Sequence, residues 1–257
     1  PRFLEVIPDD QVLKRLRAFN AGDDKAKPKY CYVENLDLTQ VPSEELPDRI
    51  DFERCVLGNV RIPNKQATTL VVKGFVLGNF EVGKTWEGEL NKSKTVPGSR
   101  FSDVTTRERV FLGRANFQDV SISGRKAAFP LTVFEGDADF RGARFSAAAD
   151  WRFSVFGEGA NFKRARLEKS VYFGNSRFRK ETTFAELFSE QDVYFDSARF
   201  EAPVHFDACE FRRRATFENS TFDDSISFSS SRVQGRLNMS RTVVHGTLSM
   251  KEVAFGG

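Results

Sequence analysis

The chain has 257 residues, 27 of them phenylalanine against 4 tyrosines, 2 tryptophans and 2 methionines, and a formal charge of +3. That length can bury a large core as one domain or two. Splitting it at residue 128 leaves 21 basic and 18 acidic residues before the cut and 18 of each after it, a balance that argues against a phosphate-binding surface or an acidic mimic of one over the second half. No apolar run reaches the ~18 residues of a membrane span, no signal-peptide pattern is read at the start, and opening on Pro1 instead of methionine implies processing or a chosen boundary.

Residues 9–19, "DDQVLKRLRAF", start acidic and set Val12, Leu13, Leu16 and Phe19 at helical spacing ahead of Gly22, which predicts a short helix. With the lysine-rich link 20–30, it makes 1–47 a helix and capping segment, shielding an open sheet end. Residues 48–128 read as irregular coils: "CVLGNVRI" (55–62) and "FVLGNFEV" (75–82) lie 20 apart, and Leu112, Phe117 and Ile122 step by five. Residues 84–100, "KTWEGELNKSKTVPGSR", abandon the pattern and read as a projecting loop. Departures from a repeat carry recognition, so Lys84, Trp86, Glu87, Lys92, Lys94 and Arg100 are the candidate partner-binding residues.

From residue 129 the chain follows one rule. Pairs of large apolar residues stand five apart, and each pair is eleven beyond the last: Phe129/Phe134, Phe140/Phe145, Trp151/Phe156, Phe162/Leu167, Phe173/Phe178, Phe184/Ser189, Phe195/Phe200, Phe206/Phe211, Phe217/Phe222, Phe228/Val233, Met239/Val244 and Met250/Phe255. Ser189 alone breaks the pattern, and Phe188 beside it predicts a local slip or bulge. Two residues before these positions stands a small or apolar set that includes Ala138, Ala143, Ala149, Ser154, Cys209 and Ser220, with a polar residue between. Apolar–polar–apolar is the period of a short strand with both outer side chains inward. The remaining residues, rich in Gly, Asn, Asp, Ser and Arg, suit corners. Short strand, corner, short strand describes a β-solenoid whose phenylalanines stack from coil to coil.

The units "ADF" at Ala138–Phe140, "ADW" at Ala149–Trp151, and "ANF" at Ala115–Phe117 and Ala160–Phe162 resemble the A(D/N)(L/F)xx unit of pentapeptide-repeat proteins. The resemblance covers roughly residues 50 to 257 and implies an all-β, right-handed quadrilateral parallel β-helix, four units to a coil. Here every second unit carries an extra residue, as at Ala148, Gly159 and Ser170, so a coil in 129–257 is expected to hold 22 residues where the plain kind holds 20. The expected core is Phe140, Phe145, Phe162, Phe173, Phe178, Phe195, Phe200, Phe206, Phe211, Phe217, Phe222 and Phe228.

Catalytic and metal chemistry find no foothold in this pattern. His205 and His245 lie in different parts of the coil, His205 facing outward, and neither composes a triad or a zinc site. Cys31, Cys55 and Cys209 lack metal-ligand spacing and predict a reducing, cytoplasmic setting without a disulfide; Cys209 belongs to the small inward set. Charges 22 residues apart pair with opposite sign six times and like sign seven times, showing no design along the stack, with Arg212 and Arg214 expected against Glu190 and Asp192. The functional expectation is a non-enzymatic interaction scaffold with an unidentified protein partner, no cofactor, no small-molecule substrate and no nucleic acid. Two alternatives stand beside it. Resemblance raises a DNA-mimicking modulator of a type II topoisomerase, against which the balanced charge counts. Repeats running uncapped to Phe255 suggest either end-to-end pairing of two copies or the soluble part of a larger membrane-associated protein.

Overall fold

The computed structural model describes residues 5–38, 41–42, 45–53, 55–62, 68–73, 79–82, 100–107, 110–113, 115–122 and 126–256. They form a parallel β-solenoid with four-sided coils and one short helix at its N-terminal end. One coil shows the plan: strands Ala138–Asp139, Arg144–Phe145, Ala148–Asp150 and Val155–Phe156 make sides one to four, and Ala160–Asn161 begins the next coil. Each strand pairs in parallel with its equivalent one coil on, as in Ala138↔Ala160, Arg144↔Arg166, Ala149↔Val171 and Val155↔Arg177. The expected 22-residue coil is therefore present, and the 20-residue coil appears earlier as Asn59↔Asn79 and Ile50↔Leu70. Side one is an 11-stranded sheet, sides two and three belong to one 16-stranded sheet, and side four is a 7-stranded sheet.

Three interior columns are almost wholly aromatic. On side one, Phe117, Phe140, Phe162, Phe184, Phe206 and Phe228 stack with successive centroids 5.0, 4.7, 4.9, 4.7 and 5.1 Å apart. Side three carries Phe129, Trp151, Phe173, Phe195 and Phe217, and side four carries Phe134, Phe156, Phe178, Phe200 and Phe222. Rings of sides one and three meet edge to face, as Phe195 and Phe206 do at 5.3 Å. In-register strands force these spacings, and each aromatic contact contributes roughly 0.5–1.5 kcal/mol beyond burial. All twelve expected core phenylalanines are buried.

Side two is the mixed column, Phe145, Leu167, Ser189, Phe211 and Val233, all buried. No slip or bulge occurs at Ser189: Arg166↔Phe188↔Glu210 and Leu167↔Ser189↔Phe211 stay in straight register. The small inward position two residues earlier instead holds Leu187, buried at 2 % exposure where neighbouring coils hold Ala165 and Cys209. The large residue has changed places with the small one, and packing density is kept. Phe188 points outward.

The corners explain the repeat's remaining letters. Between sides one and two, and between sides three and four, the third residue of the turn has positive φ, as at Gly142 (64°), Phe153 (61°), Arg164 (60°) and Asn175 (58°). The turn closes with Ala143 N–H donating to the Phe140 carbonyl at 3.1 Å and Ala165 N–H to Phe162 at 3.0 Å, a type II arrangement. The Asp or Asn of each unit caps it: carboxylate or amide oxygens of Asp139, Asp150 and Asn161 accept from the N–H of Arg141, Arg152 and Lys163 at 3.0–3.1 Å. Buried hydroxyls clip coils together. Ser154, Ser176, Ser220 and Ser231 donate at 2.6–2.7 Å to the carbonyls of Phe129, Trp151, Phe195 and Phe206.

At the N-terminal end the predicted helix spans Asp9–Asn20 and buries Val12 and Leu16 against the core. Strands Glu5–Val6 and Cys31–Asp37 lie within the segment 1–47, yet they join the side-one sheet, so cap and coil share one sheet. Cys31 and Cys55 form a disulfide, with Cα atoms 4.5 Å apart. This corrects the expectation of no disulfide: Tyr32↔Val56 pairing places the preceding residues, Cys31 and Cys55, side by side within bonding reach. It also removes the cysteine ground for a reducing compartment. No helix among the described residues is long and apolar enough to cross a membrane.

Candidate interaction surfaces

Because every second strand residue is turned inward, the outer surface consists of strand-centre residues and corners. Of the candidate loop residues, Lys84, Trp86, Glu87, Lys92 and Lys94 lie outside the described residues, and Arg100 opens the strand Arg100–Arg107, paired with Ser121. The described surfaces are the four sides, the corner edges and the last coil.

On sides two and four the charges are organised on diagonals. Arg144 pairs with Glu168, Arg166 with Glu190 at 3.3 Å, Arg177 with Glu201, and Arg199 with Asp223 at 2.8 Å. Each arginine reaches past its own register neighbour to the residue two further along, so partners are 24 residues apart. Arg177 stands directly over Arg199, and Glu201 and Asp223 likewise recur one coil apart. The diagonal converts two like-charged columns into an alternating ladder. The absence of charge design expected from straight register is thereby corrected, although each exposed pair stabilises by only about 0–1 kcal/mol.

Arg214 meets Asp192 at 2.9 Å as expected. Arg212 does not meet Glu190; it pairs with Glu210 at 3.1 Å and lies 4.7 Å over the Phe188 ring, whose other cation is Arg166 at 4.2 Å. The outward Phe188 is what captures it, since a ring between two guanidinium groups attracts both. Side three carries a similar stack of Tyr172 on Tyr194 at 5.0 Å, with Arg214 over Tyr194 and Arg152 over Tyr172. Burial, and then the Tyr194 hydroxyl's bond to Asp192, raise the Tyr194 pKa. Hydrogen bonds from Arg214 and Tyr194 outweigh burial at Asp192 and hold its carboxyl below the usual range.

Side one is the polar side. Its outward column runs Asp139, Asn161, Thr183, His205, Ser227 and Ser249. His205 lies on the surface, 3.4 Å from both Glu181 and Asp207. A depression of about 390 Å³ opens on this side between Asp137, Asp139, Arg141 and Glu181. Among the described residues no group of three or more His, Cys, Asp or Glu is placed to hold a metal. Cys209 is buried and its thiol is pushed up to about 12 by burial; it donates to the Phe184 carbonyl at 3.1 Å, standing where other coils use the serine clip.

Among the described residues, large apolar side chains are exposed at Val6 near the N-terminal end, on the last coils and at one corner. The last coil leaves Leu248 and Phe255 open, at 43 % and 59 % exposure, with Met239 and Met250 partly buried beneath. The corner is the one between sides three and four, where Leu131 and Phe153 project at 42 % and 55 %. Nothing in the residue pattern flagged this corner, because an apolar residue beside an inward aromatic reads as core.

A family model described as pentapeptide repeats (9 copies) matches residues 129–177, 195–243 and 206–254. No curated protein and no solved structure matches the chain significantly.

Proposed function

The chain is a pentapeptide-repeat protein, and from that premise we propose that it works as a non-enzymatic scaffold, a stiff rod that presents side chains to a protein partner. The observation that supports this is a constant frame beneath a variable surface. The turn residue keeps φ between 54° and 61° from Phe153 to Glu252, while the outward residue of side one changes in nearly every coil, from Asp139 to Ser249. Such a frame fixes where each outward group stands and leaves its chemistry free, which is how solenoids build binding faces. The diagonal ion pairs weigh against the DNA-mimic alternative, because a mimic needs unneutralised negative columns.

A crosslinking pull-down from source-cell lysate tests the reading, comparing the intact chain with one whose residues 84–100 are replaced by a short Gly-Ser link. A partner captured only by the intact chain assigns recognition to that segment. Equal capture assigns it to the coil faces, and capture by neither contradicts the scaffold. End-to-end pairing of two copies through Leu248 and Phe255 belongs to the same proposal and predicts concentration-dependent dimers in sedimentation that Phe255→Asp abolishes. Cytoplasmic placement turns on the Cys31–Cys55 bridge: a bridge found reduced in cells supports it, and an oxidised one points to an oxidising compartment.

A further inference from the structure

The corner between sides three and four breaks the surface rule of the rod. Its left-handed turn residue runs Leu131, Phe153, Asn175, Ser197, Asn219 and Arg241 from coil to coil. Asparagine suits this position, being polar and tolerant of positive φ. Leu131 (φ 58°) and Phe153 (φ 61°) do not suit it: a bulky side chain is strained there, and both are exposed. The chain accepts an unfavourable backbone and an unfavourable hydration at the same two residues. Strain and exposed apolar surface together mark a site of interaction.

The neighbours extend the feature. Val133 and Val155, the outward strand residues of side four in the same two coils, stand in register and half-buried. The following coil replaces them with Arg177, so the apolar patch ends after two coils. Together with Gly157, these residues line a depression of about 500 Å³. Glu135 and Glu158 stand on its rim, with Arg179 at the far end. The acids that follow side-four strands elsewhere, Glu201 and Asp223, are neutralised by diagonal arginines. Glu135 and Glu158 form no ion pair among the described residues, and the position 24 residues before Glu135, where a diagonal cation would be, is Phe111.

We propose that this corner docks a segment of a partner protein that seats an aliphatic or aromatic side chain between Leu131 and Phe153 and sets a lysine or arginine against Glu135 and Glu158. The inference rests on the scaffold reading and names the surface and the partner chemistry. Apolar anchors in a desolvated centre carry most of an interface's affinity, and rim charges set orientation and association rate.

The test uses Phe153→Asn, which restores the turn residue of Asn175 and Asn219 and so leaves the melting temperature unchanged or raised. Random peptides displayed on phage are selected against the intact chain, and the selected peptides are synthesised and titrated by fluorescence anisotropy against three chains: intact, Phe153→Asn, and Glu135→Gln with Glu158→Gln. The expected peptides share an apolar residue next to Lys or Arg. Their affinity falls about tenfold or more with Phe153→Asn, and several-fold with the double glutamine variant at low salt, a loss that fades at high salt. Peptides that bind Phe153→Asn as tightly as the intact chain overturn the corner while leaving the scaffold standing. A selection that yields no binder counts against both. Self-association of the intact chain that Phe153→Asn removes assigns the patch to a second copy and overturns the peptide assignment.

Discussion

The described residues of 5–82 and residues 129–256 are one solenoid built in two ways. The early coils use long strands, Cys31–Asp37 and Val56–Ile62 at 7 residues each, over an interior that includes Val33, Leu36, Leu57 and Val60. Single fasteners hold them: the Cys31–Cys55 bridge, and buried Asp51 gripped by Lys27 at 3.0 Å and Arg49 at 2.7 Å. The later coils use strands of 2 residues, such as Val204–His205 and Glu210–Phe211, which give each side little ladder of its own. There the aromatic columns, the capped turns and the serine clips hold the coil, and each is repeated many times. A coil can thus be secured along its sides or at its corners and centre. The first way concentrates stability in singular ties; the second distributes it along series.

The largest break in the comparison should come from inside a column. Phe184→Ala empties a site ringed by Phe162, Phe173, Phe195 and Phe206 and is expected to cost about 3–5 kcal/mol in denaturant unfolding. Amide exchange should rise around residues 162–206 and stay protected at 31–62. Cutting the bridge with Cys55→Ser is expected to cost about 2–4 kcal/mol with the reverse pattern, faster exchange at 31–62 and none added beyond 129. Thiol titration of the denatured, unreduced chain should find Cys209 alone.

Smaller effects sharpen the corner side of the account. Ser220→Ala strips the clip from the Phe195 carbonyl and is expected to cost about 1–3 kcal/mol, whereas Cys209→Ser supplies the same donor at the equivalent place and should stay within about 0.5 kcal/mol. The smallest effect is acid sensitivity. A hydrogen bond from Ser146 and then Arg144 hold Glu168 below the usual carboxylate range, and Lys29 and Lys27 do so for Glu53. The unfolded chain takes up these protons first, near about pH 4.3, so the contribution is complete above that value and is lost as pH falls through the depressed folded values. Melting temperatures recorded downward from pH 7 should begin to fall only below about pH 5.

Periodicity made the later coils legible because an inward aromatic every five or six residues has no other physical use. The strand, its small partner column and the 22-residue coil followed from that. What escaped depended on alignment across coils. Cys31 and Cys55 are 24 apart, a spacing that matches neither the 20- nor the 22-residue coil, so their adjacency had no periodic sign. The arginine–carboxylate ladder lies on a diagonal of 24, and a straight 22-residue comparison sees only its like-charged columns. At Ser189 the rhythm broke and suggested a slipped strand, whereas volume exchange with Leu187 was the physical answer. Leu131 and Phe153 were silent because composition does not tell a turn residue facing water from a core residue beside it.

The account stands on separation of a fixed interior from a free exterior, and one paired measurement tests that most directly. Thermal unfolding of Phe206→Asp and Arg213→Ala compares a residue at 0 % exposure with one on an outward corner. A buried unpaired carboxylate should abolish the cooperative transition or lower it drastically, while the arginine variant should melt within about 0.5 kcal/mol of the parent. Equal shifts in the two variants would contradict the inward columns and the rod built on them.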